Sequence, residues 1–378
     1  MALRALVLGS GYAGQGHTQA LRDAGVEVVG MASRTDSVVR HVAEALEIPR
    51  AGSDWRGLLA ELRPDLVAVG TPAGTHLEMI SAALDARCHV LADKPLTTCA
   101  PHARRLYAHS IGVGVKTAYA ASFRYQPQAL LARQLVANGA VGRVLEVECA
   151  SHYNWSRLLP FGWPHRLDQG GGRLNNNFTH KLAIVLHIVG GEILSATGEA
   201  RNDLQRAPMG PRIHDFREFT QSPISPEVAA RGEWGDVDSD WSYTALLRIG
   251  QRAQPDASVS ALFRHNCLTH SRIRDHICVY GSEGVLHIEG AYATGAVLLG
   301  RGGRDWEEIP IPASITDALP ALSDATQRNW NQLAREFAAD IRGLGTPGYL
   351  TFRDGWVFQE VIDAIRAGRG WQVIPHQL

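Results

Sequence analysis

Residues Ala2 to Gly16 constrain the fold more than any other stretch of the chain. Leu3 to Leu8 is an apolar run, Gly9-Ser10-Gly11-Tyr12-Ala13-Gly14 follows it directly, and Gln15 to Ala24 has the composition of a helix. A G-x-G-x-x-G turn between strand and helix opens a dinucleotide-binding βαβ unit. Gly9 permits the tight turn, Gly11 lets backbone approach a pyrophosphate, and Gly14 allows close strand–helix packing. Tyr12 and Ala13 belong to the turn that opens the helix, whose N-terminal N–H groups and dipole favour the anion. Glycine-rich turns also occur in α/β proteins for purely structural reasons. Here the strand–turn–helix context favours a nucleotide.

The next hundred residues continue in the same style. Val26 to Ala32, Leu66 to Val69 and His89 to Ala92 read as strands, and the segments 37–46, 54–62 and 77–86 as helices. Such alternation predicts right-handed βαβ crossovers and a doubly wound parallel sheet. After Tyr119 the pattern changes. A helix over 126–137 ends at Asn138-Gly139, and β-type runs follow at 144–153, 193–200, 242–249, 257–264, 277–280, 285–289 and 296–299. Helices are expected over 176–189 and 329–341. The expected architecture is α/β: a Rossmann domain over 1–120, and a second α/β domain over 121–378 with a large, open, mostly antiparallel sheet. The C-terminal helix is placed to pack back on the first domain. Residues 201–240 are polar, Pro- and Gly-rich and without period, and read as a long functional loop.

At 378 residues the chain can bury two cores without disulfides or metals. Its five cysteines are scattered, with no C-x-x-C pair, so neither a disulfide framework nor a metal site is expected. A net charge of −1 lacks the basic excess that nucleic acid or an anionic membrane requires. No apolar stretch reaches the ~20 residues that span a bilayer. A cytoplasmic location is expected.

A carboxylate usually closes the second strand of this fold, ~20 residues after the turn, and holds the adenosine ribose 2′-OH. Ser33-Arg34-Thr35 stands there instead. Without the acid nothing repels a 2′-phosphate, and a guanidinium with two hydroxyls suits one. NADP is therefore favoured, with NAD the alternative. A solvated arginine at a strand end is the plainer reading of Arg34.

Further motifs appear in order along the chain. Thr71-Pro72-Ala73-Gly74-Thr75-His76 follows the fourth strand, and Asp93-Lys94-Pro95 follows the fifth. Next come Ser122-Phe123-Arg124-Tyr125-Gln126-Pro127, Gly139-Ala140-Val141-Gly142, Gly170-Gly171-Gly172 through His180, and Val279-Tyr280-Gly281-Ser282-Glu283-Gly284. This set resembles the Gfo/Idh/MocA oxidoreductases, the glucose–fructose oxidoreductase and inositol dehydrogenase group, over nearly the whole chain. The resemblance implies a nicotinamide-dependent dehydrogenase or reductase of a sugar-like polar cyclic substrate. It also implies a homodimer or homotetramer formed through the C-terminal sheet. Thr71, Pro72, His76, Asp93, Lys94 and Arg124 join the glycine turn as implied cofactor residues.

The same resemblance casts Lys94 and His180 as catalytic, with Asn176 beside them. An ammonium at the C-terminal end of a parallel strand can steady a developing alkoxide, and imidazole can exchange a proton near neutral pH. As isolated residues they would read as a surface lysine beside a proline and a packed histidine, and His187 keeps that packing role. Four positions depart from the family pattern. Asn176 and Ala183 replace its usual aspartates, Phe178 replaces a glycine, and Asp93 is one methylene shorter than the usual glutamate. These departures suggest a substrate unlike a simple polyol, or weakened catalysis. An imine or tetrapyrrole reductase, a redox glycosidase and a nucleotide-sensing regulator remain alternatives on this scaffold.

Tyr153, Trp155, Arg157, Trp163 and Arg166 form a candidate substrate wall, since indoles stack on flat ligands and arginine binds anions. Packed tryptophans and solvated arginines would also explain them. Arg212, His214, Arg217 and Glu218 in the long loop are candidates to close over a ligand.

Overall fold

The computed structural model describes residues 2–211, 213, 215–251, 254–270, 274–303, 305–345 and 348–378. Its first half winds through β1 (Leu3–Leu8), α1 (Tyr12–Asp23), β2 (Val26–Ala32), α2 (Asp36–Ala45), β3 (Ala51–Gly52) and α3 (Trp55–Leu62). It continues with β4 (Leu66–Val69), α4 (His76–Asp85), β5 (His89–Ala92), α5 (Ala100–Val113) and β6 (Thr117–Tyr119). These strands form one parallel six-stranded sheet in the order β3-β2-β1-β4-β5-β6. The order reverses between β1 and β4, so a crevice opens at the strands' C-terminal ends, where such sheets bind ligands. β1 and β4 are apolar on both sides because helices cover both faces.

The second half begins with α6 (Pro127–Ala137) and β7 (Val144–His152), then α7 (Thr179–Val189) and β8 (Glu192–Arg201). Two short hairpin strands follow, β9 (Arg206–Pro208) and β10 (Trp234–Asp236), flanking α8 (Phe216–Phe219) and α9 (Pro226–Arg231). Then come β11 (Ser242–Gln251), β12 (Gln254–Asn266), β13 (His276–Gly281), β14 (Val285–Glu289), β15 (Val297–Gly300) and β16 (Glu307–Glu308). The chain closes with α10 (Ala313–Thr316), α11 (Ala325–Ile341), α12 (Phe352–Ala367) and β17 (Gln372–Val373). The nine-stranded sheet runs β16-β15-β14-β13-β7-β12-β11-β8-β17, antiparallel except between β12 and β7. That is the large, mostly antiparallel sheet expected from the β-type runs.

α7 lies under this sheet and is apolar nearly all round. Leu182, Ile184 and Val185 have no exposed surface, each burial contributing about 1.5–3 kcal/mol. One continuous core joins Val67 and Tyr119 of the first half to Ile184, Val147 and Phe358 of the second. Both C-terminal helices return to the first half. α11 packs Trp330, Leu333 and Phe337 against Ala20 and Leu21 of α1, and α12 lies between α5 and β8.

Two expectations need correction. Segment 201–240 is not one structureless loop; it holds a hairpin and two short helices around Leu204, Ala207, Phe219 and Trp241. Its elements are too short to show a period. The helix expected over 176–189 begins earlier, with a π-helical turn at Leu174–Phe178 that runs into α7.

Candidate active site

A cleft of 1740 Å³ runs between the sheets, larger than the ~300–1,000 Å³ that suits one drug-sized ligand. Its floor in the first half is the glycine turn. Gly9 has φ +118°, and a Cβ there would lie 2.8 Å from the Gly70 carbonyl oxygen. A Cβ on Gly14 would lie 1.9 Å from the Gly9 oxygen, so the first and third glycines of the turn are sterically obligatory. Gly9, Gly11, Tyr12 and Ala13 line the cleft, while Gly14 packs beneath it. The turn therefore offers a cradle that side chains would fill, at the N-terminus of a twelve-residue helix. That shape fits a dinucleotide pyrophosphate.

Ser33, Arg34 and Thr35 line the same cleft beyond the end of β2. The Ser10 hydroxyl donates to Ser33 Oγ at 2.9 Å. Arg34 is exposed and has no hydrogen-bond or carboxylate partner among the described residues. The nearest acid in sequence, Asp36, faces elsewhere: its carboxylate accepts from Arg40 Nε at 2.6 Å and Ser53 N at 3.2 Å. The Arg40 guanidinium holds that carboxyl below the usual range.

The second wall meets the first at Lys94. Asp93 Oδ1 accepts from the Lys94 backbone N–H at 2.8 Å, and the Lys94–Pro95 peptide is cis. Lys94 Nζ donates to the backbone oxygen of Asn176 at 3.2 Å and to its Oδ1 at 3.3 Å. Burial, with Arg173 adding to it against the pull of Asp93, lowers its pKa to about 8. The Asn176 amide is used at both ends, because its Nδ2 donates to the Gly172 oxygen at 3.0 Å. A carboxylate in that place would oppose the Gly172 carbonyl, which explains why asparagine suits this turn.

His180 lies across the cleft wall, stacked on Phe123 with centroids 4.2 Å apart and edge-on to Tyr292 at 5.9 Å. Burial and then the charges of Lys94 and Arg173 hold its pKa well below the ordinary imidazole value, so the ring is neutral. Its buried Nδ1 has no partner among the described residues. Among the described residues no carboxylate fixes its tautomer.

Two family models decide the kinship. Residues 3–119 match the oxidoreductase family with an NAD-binding Rossmann fold, and residues 129–287 match the GFO/IDH/MocA C-terminal domain. The chain belongs to the Gfo/Idh/MocA oxidoreductase family. Levoglucosan dehydrogenase from Pseudarthrobacter phenanthrenivorans is 24% identical over 259 residues, 67% of this chain and 63% of that protein. D-xylose 1-dehydrogenase (NADP(+)) 2 from Haloferax volcanii is 34% identical over 136 residues, 36% of this chain and 40% of that protein. The alignments thus span less than two thirds of either relative. In structure, levoglucosan dehydrogenase in complex with NADH and L-sorbose superposes with a TM-score of 0.82 at 19% identity, covering 99% of both chains. That likeness shows the fold.

Against the Gfo/Idh/MocA pattern, several residues singled out from sequence sit where it is instructive. Thr71, Pro72, Asp93, Tyr153, Trp155, Trp163 and Arg166 line the cleft. His76 does not; it is fully buried, and its ring nitrogens meet the oxygens of Thr71 at 2.8 Å and Leu96 at 3.1 Å. It ties the loop after β4 to the segment after Pro95. Arg124 turns away from the cleft, because its guanidinium donates to His187 Nδ1 at 2.8 Å on the far side of α7. Arg133 joins it at 3.1 Å, and burial with both guanidinium charges drives the His187 pKa down to about 2. Arg157 also lies off the cleft, with Nη1 on the Asp203 oxygen at 3.0 Å.

From the long segment, Arg217 pairs with Asp215 and lies over the Tyr12 ring at 5.2 Å, so this segment touches the glycine turn. Glu218 is exposed, and Arg212 and His214 lie outside the described residues. Sequence reasoning passed over Arg173, Tyr292 and Lys181. Lys181 is fully buried behind His180, against Ser151 Oγ and the Tyr243 hydroxyl. Arg173 directly follows the glycine triplet, the one signal that pointed to it. Among the described residues no group of acids, histidines and cysteines could hold a metal ion, and no helix is long and apolar enough to cross a membrane.

Proposed function

We propose that this chain is an NADP-dependent dehydrogenase or reductase of a sugar-like polar cyclic compound. Residues 1–120 would hold the nucleotide and 121–378 the substrate. The observation that carries the reading is Lys94, whose partly desolvated ammonium shares one cleft with the glycine turn, Asn176 and His180. When bound, the nicotinamide gives or takes the hydride at a carbinol or carbonyl carbon. Lys94 Nζ then faces the oxygen on that carbon and steadies its negative charge, in a site dry enough to strengthen the interaction. Neutral His180 accepts the carbinol proton in oxidation. Asn176 holds Lys94 in place through two contacts.

The NADP preference rests on Arg34, a guanidinium without a partner among the described residues, at the site where a ribose-binding acid would stand. Fluorescence titration with NADPH and NADH tests it. Arg34→Ala is expected to weaken NADPH binding ~10- to 100-fold, the worth of a charge-assisted hydrogen bond, and to leave NADH unchanged. A wild-type preference for NADH that survives the substitution would sink the NADP assignment. Turnover is assayed with levoglucosan, D-xylose and inositol, which the names of the relatives suggest. Acidic sugars extend that panel. No oxidation or reduction with either cofactor would overturn the dehydrogenase reading.

A further inference from the structure

Arg173 is a buried charge with no acidic partner among the described residues. Its side chain is buried, with the residue only 8% exposed, yet it lines the cleft. The guanidinium Cζ lies over Trp155, 4.5 Å from the ring centroid, and Nε–H donates to His265 Nε2 at 3.2 Å. His265 Nδ1 in turn meets Ser151 Oγ at 2.8 Å, so the imidazole is held on both sides. These contacts fix the guanidinium plane and occupy one edge of it. The two Nη groups have no hydrogen-bond or carboxylate partner among the described residues, and they are not sealed in the core. They present a preorganised two-donor fork to the cleft.

The neighbourhood makes the vacancy sharper. Lys94 and His180 both feel the Arg173 charge, and Lys181 lies just behind. The acids nearby are committed or offset. Asp240 bridges Arg366 at 2.8 Å, Asp93 takes the Lys94 N–H, and Asp275, which also lines the cleft, has contacts of its own. Buried charges in proteins are normally paired, and a guanidinium fork matches a planar carboxylate in a bidentate way. One guanidinium among flat aromatic rings balances one negative charge.

We propose that Arg173 binds a carboxylate carried by the substrate, making the substrate an acidic sugar of the uronic or aldonic type. This rests on the dehydrogenase reading and deepens it. Neither Asn176 nor Ala183 gives His180 a negative neighbour. A bound carboxylate supplies that charge, and it favours the protonated forms of both His180 and Lys94. Catalysis then depends on the substrate's own acid group.

The test uses the full chain loaded with NADPH and isothermal titration with matched pairs: D-glucuronate against D-glucose, and D-galacturonate against D-galactose. At least one acid is expected to bind ~10- to 100-fold more tightly than its neutral partner. Arg173→Gln should erase that difference and keep the NADPH affinity, while Arg173→Lys restores part of it. The melting temperature shows whether Arg173→Gln is folded. If it is not, Arg173→Lys decides, since losing one arm of the fork must still narrow the gap. Equal binding of acid and neutral sugar, or no acid binding at all, overturns the proposal. So does loss of NADPH binding in a folded Arg173 variant, which would assign the fork to the nucleotide. Failure of the wild-type chain to bind NADPH or NADH would instead overturn the dehydrogenase reading.

Discussion

Lys94→Ala is expected to lower kcat/KM by ~10²- to 10⁴-fold, with NADPH affinity unchanged. The ammonium sits at the C-terminal end of β5 and contacts Asn176, not the glycine turn, so nucleotide binding should survive its loss. What disappears is the positive charge facing the reacting oxygen. The pH dependence carries a second signature. Because burial sets the Lys94 pKa to about 8, reduction, which needs the ammonium, should fall as pH rises through that value. Oxidation should fall over the same window, because the same ammonium steadies the alkoxide from which the hydride leaves while His180 takes the proton. Lys94→Arg keeps a charge that does not titrate in this range, so it should flatten the limb near pH 8 even where some activity remains. Stopped-flow or steady-state rates at pH 6 to 10 measure all three enzymes. An unaltered profile in Lys94→Arg would show that titration of the Lys94 ammonium does not set the pH dependence.

How much of this site sequence can show depends on the range of the forces that build it. The glycine turn is legible because each requirement is local: Gly14 meets Gly9, five residues away, and the apolar run before it is already a buried parallel strand. Lys94 is legible by position, since it follows a strand directly. Arg173 was not. Its meaning comes from Trp155, on the chain before the glycine triplet, and from His265, 92 residues further on. Seen in sequence it is one more arginine beside glycines. Arg124 fails for the opposite reason. Its neighbours in sequence place it near the cleft, but the short turn at Ser122–Tyr125 aims it at His187, and the nitrogen waiting there holds it. Segment 201–240 hid its structure because helices of four and six residues cannot display a helical period. Only the burial of Phe219 and Trp241 in a separate small core reveals that it is folded.

Asp240→Ala is expected to produce the largest loss of stability among single changes near the cleft, about 3–5 kcal/mol, as when one partner of a buried ion pair is removed. Asp240 is 5% exposed. Its Oδ1 accepts from Arg366 Nε at 3.0 Å and Nη2 at 2.8 Å, and its Oδ2 accepts from the Leu174 N–H at 2.7 Å. Its carbonyl takes the Arg173 N–H at 2.9 Å. Gly172, at φ +96°, lies so close that a Cβ there would sit 2.6 Å from Asp240 Oδ1, so the last glycine of the triplet is needed to admit this carboxylate. Alanine at 240 strands the Arg366 charge and the Leu174 N–H together. The melting temperature should fall by about 5–10 °C, measured by calorimetry. Asp240→Asn keeps an acceptor for Leu174 and should lose less. The functional consequence separates this from a generic core defect. Asp240 anchors the turn that carries both Arg173 and Asn176, and it touches nothing in the glycine turn. At a temperature where the variant is folded, kcat should therefore drop while NADPH affinity holds. A parallel fall in both would mean that Asp240 supports the fold as a whole and not the turn that aims these two side chains.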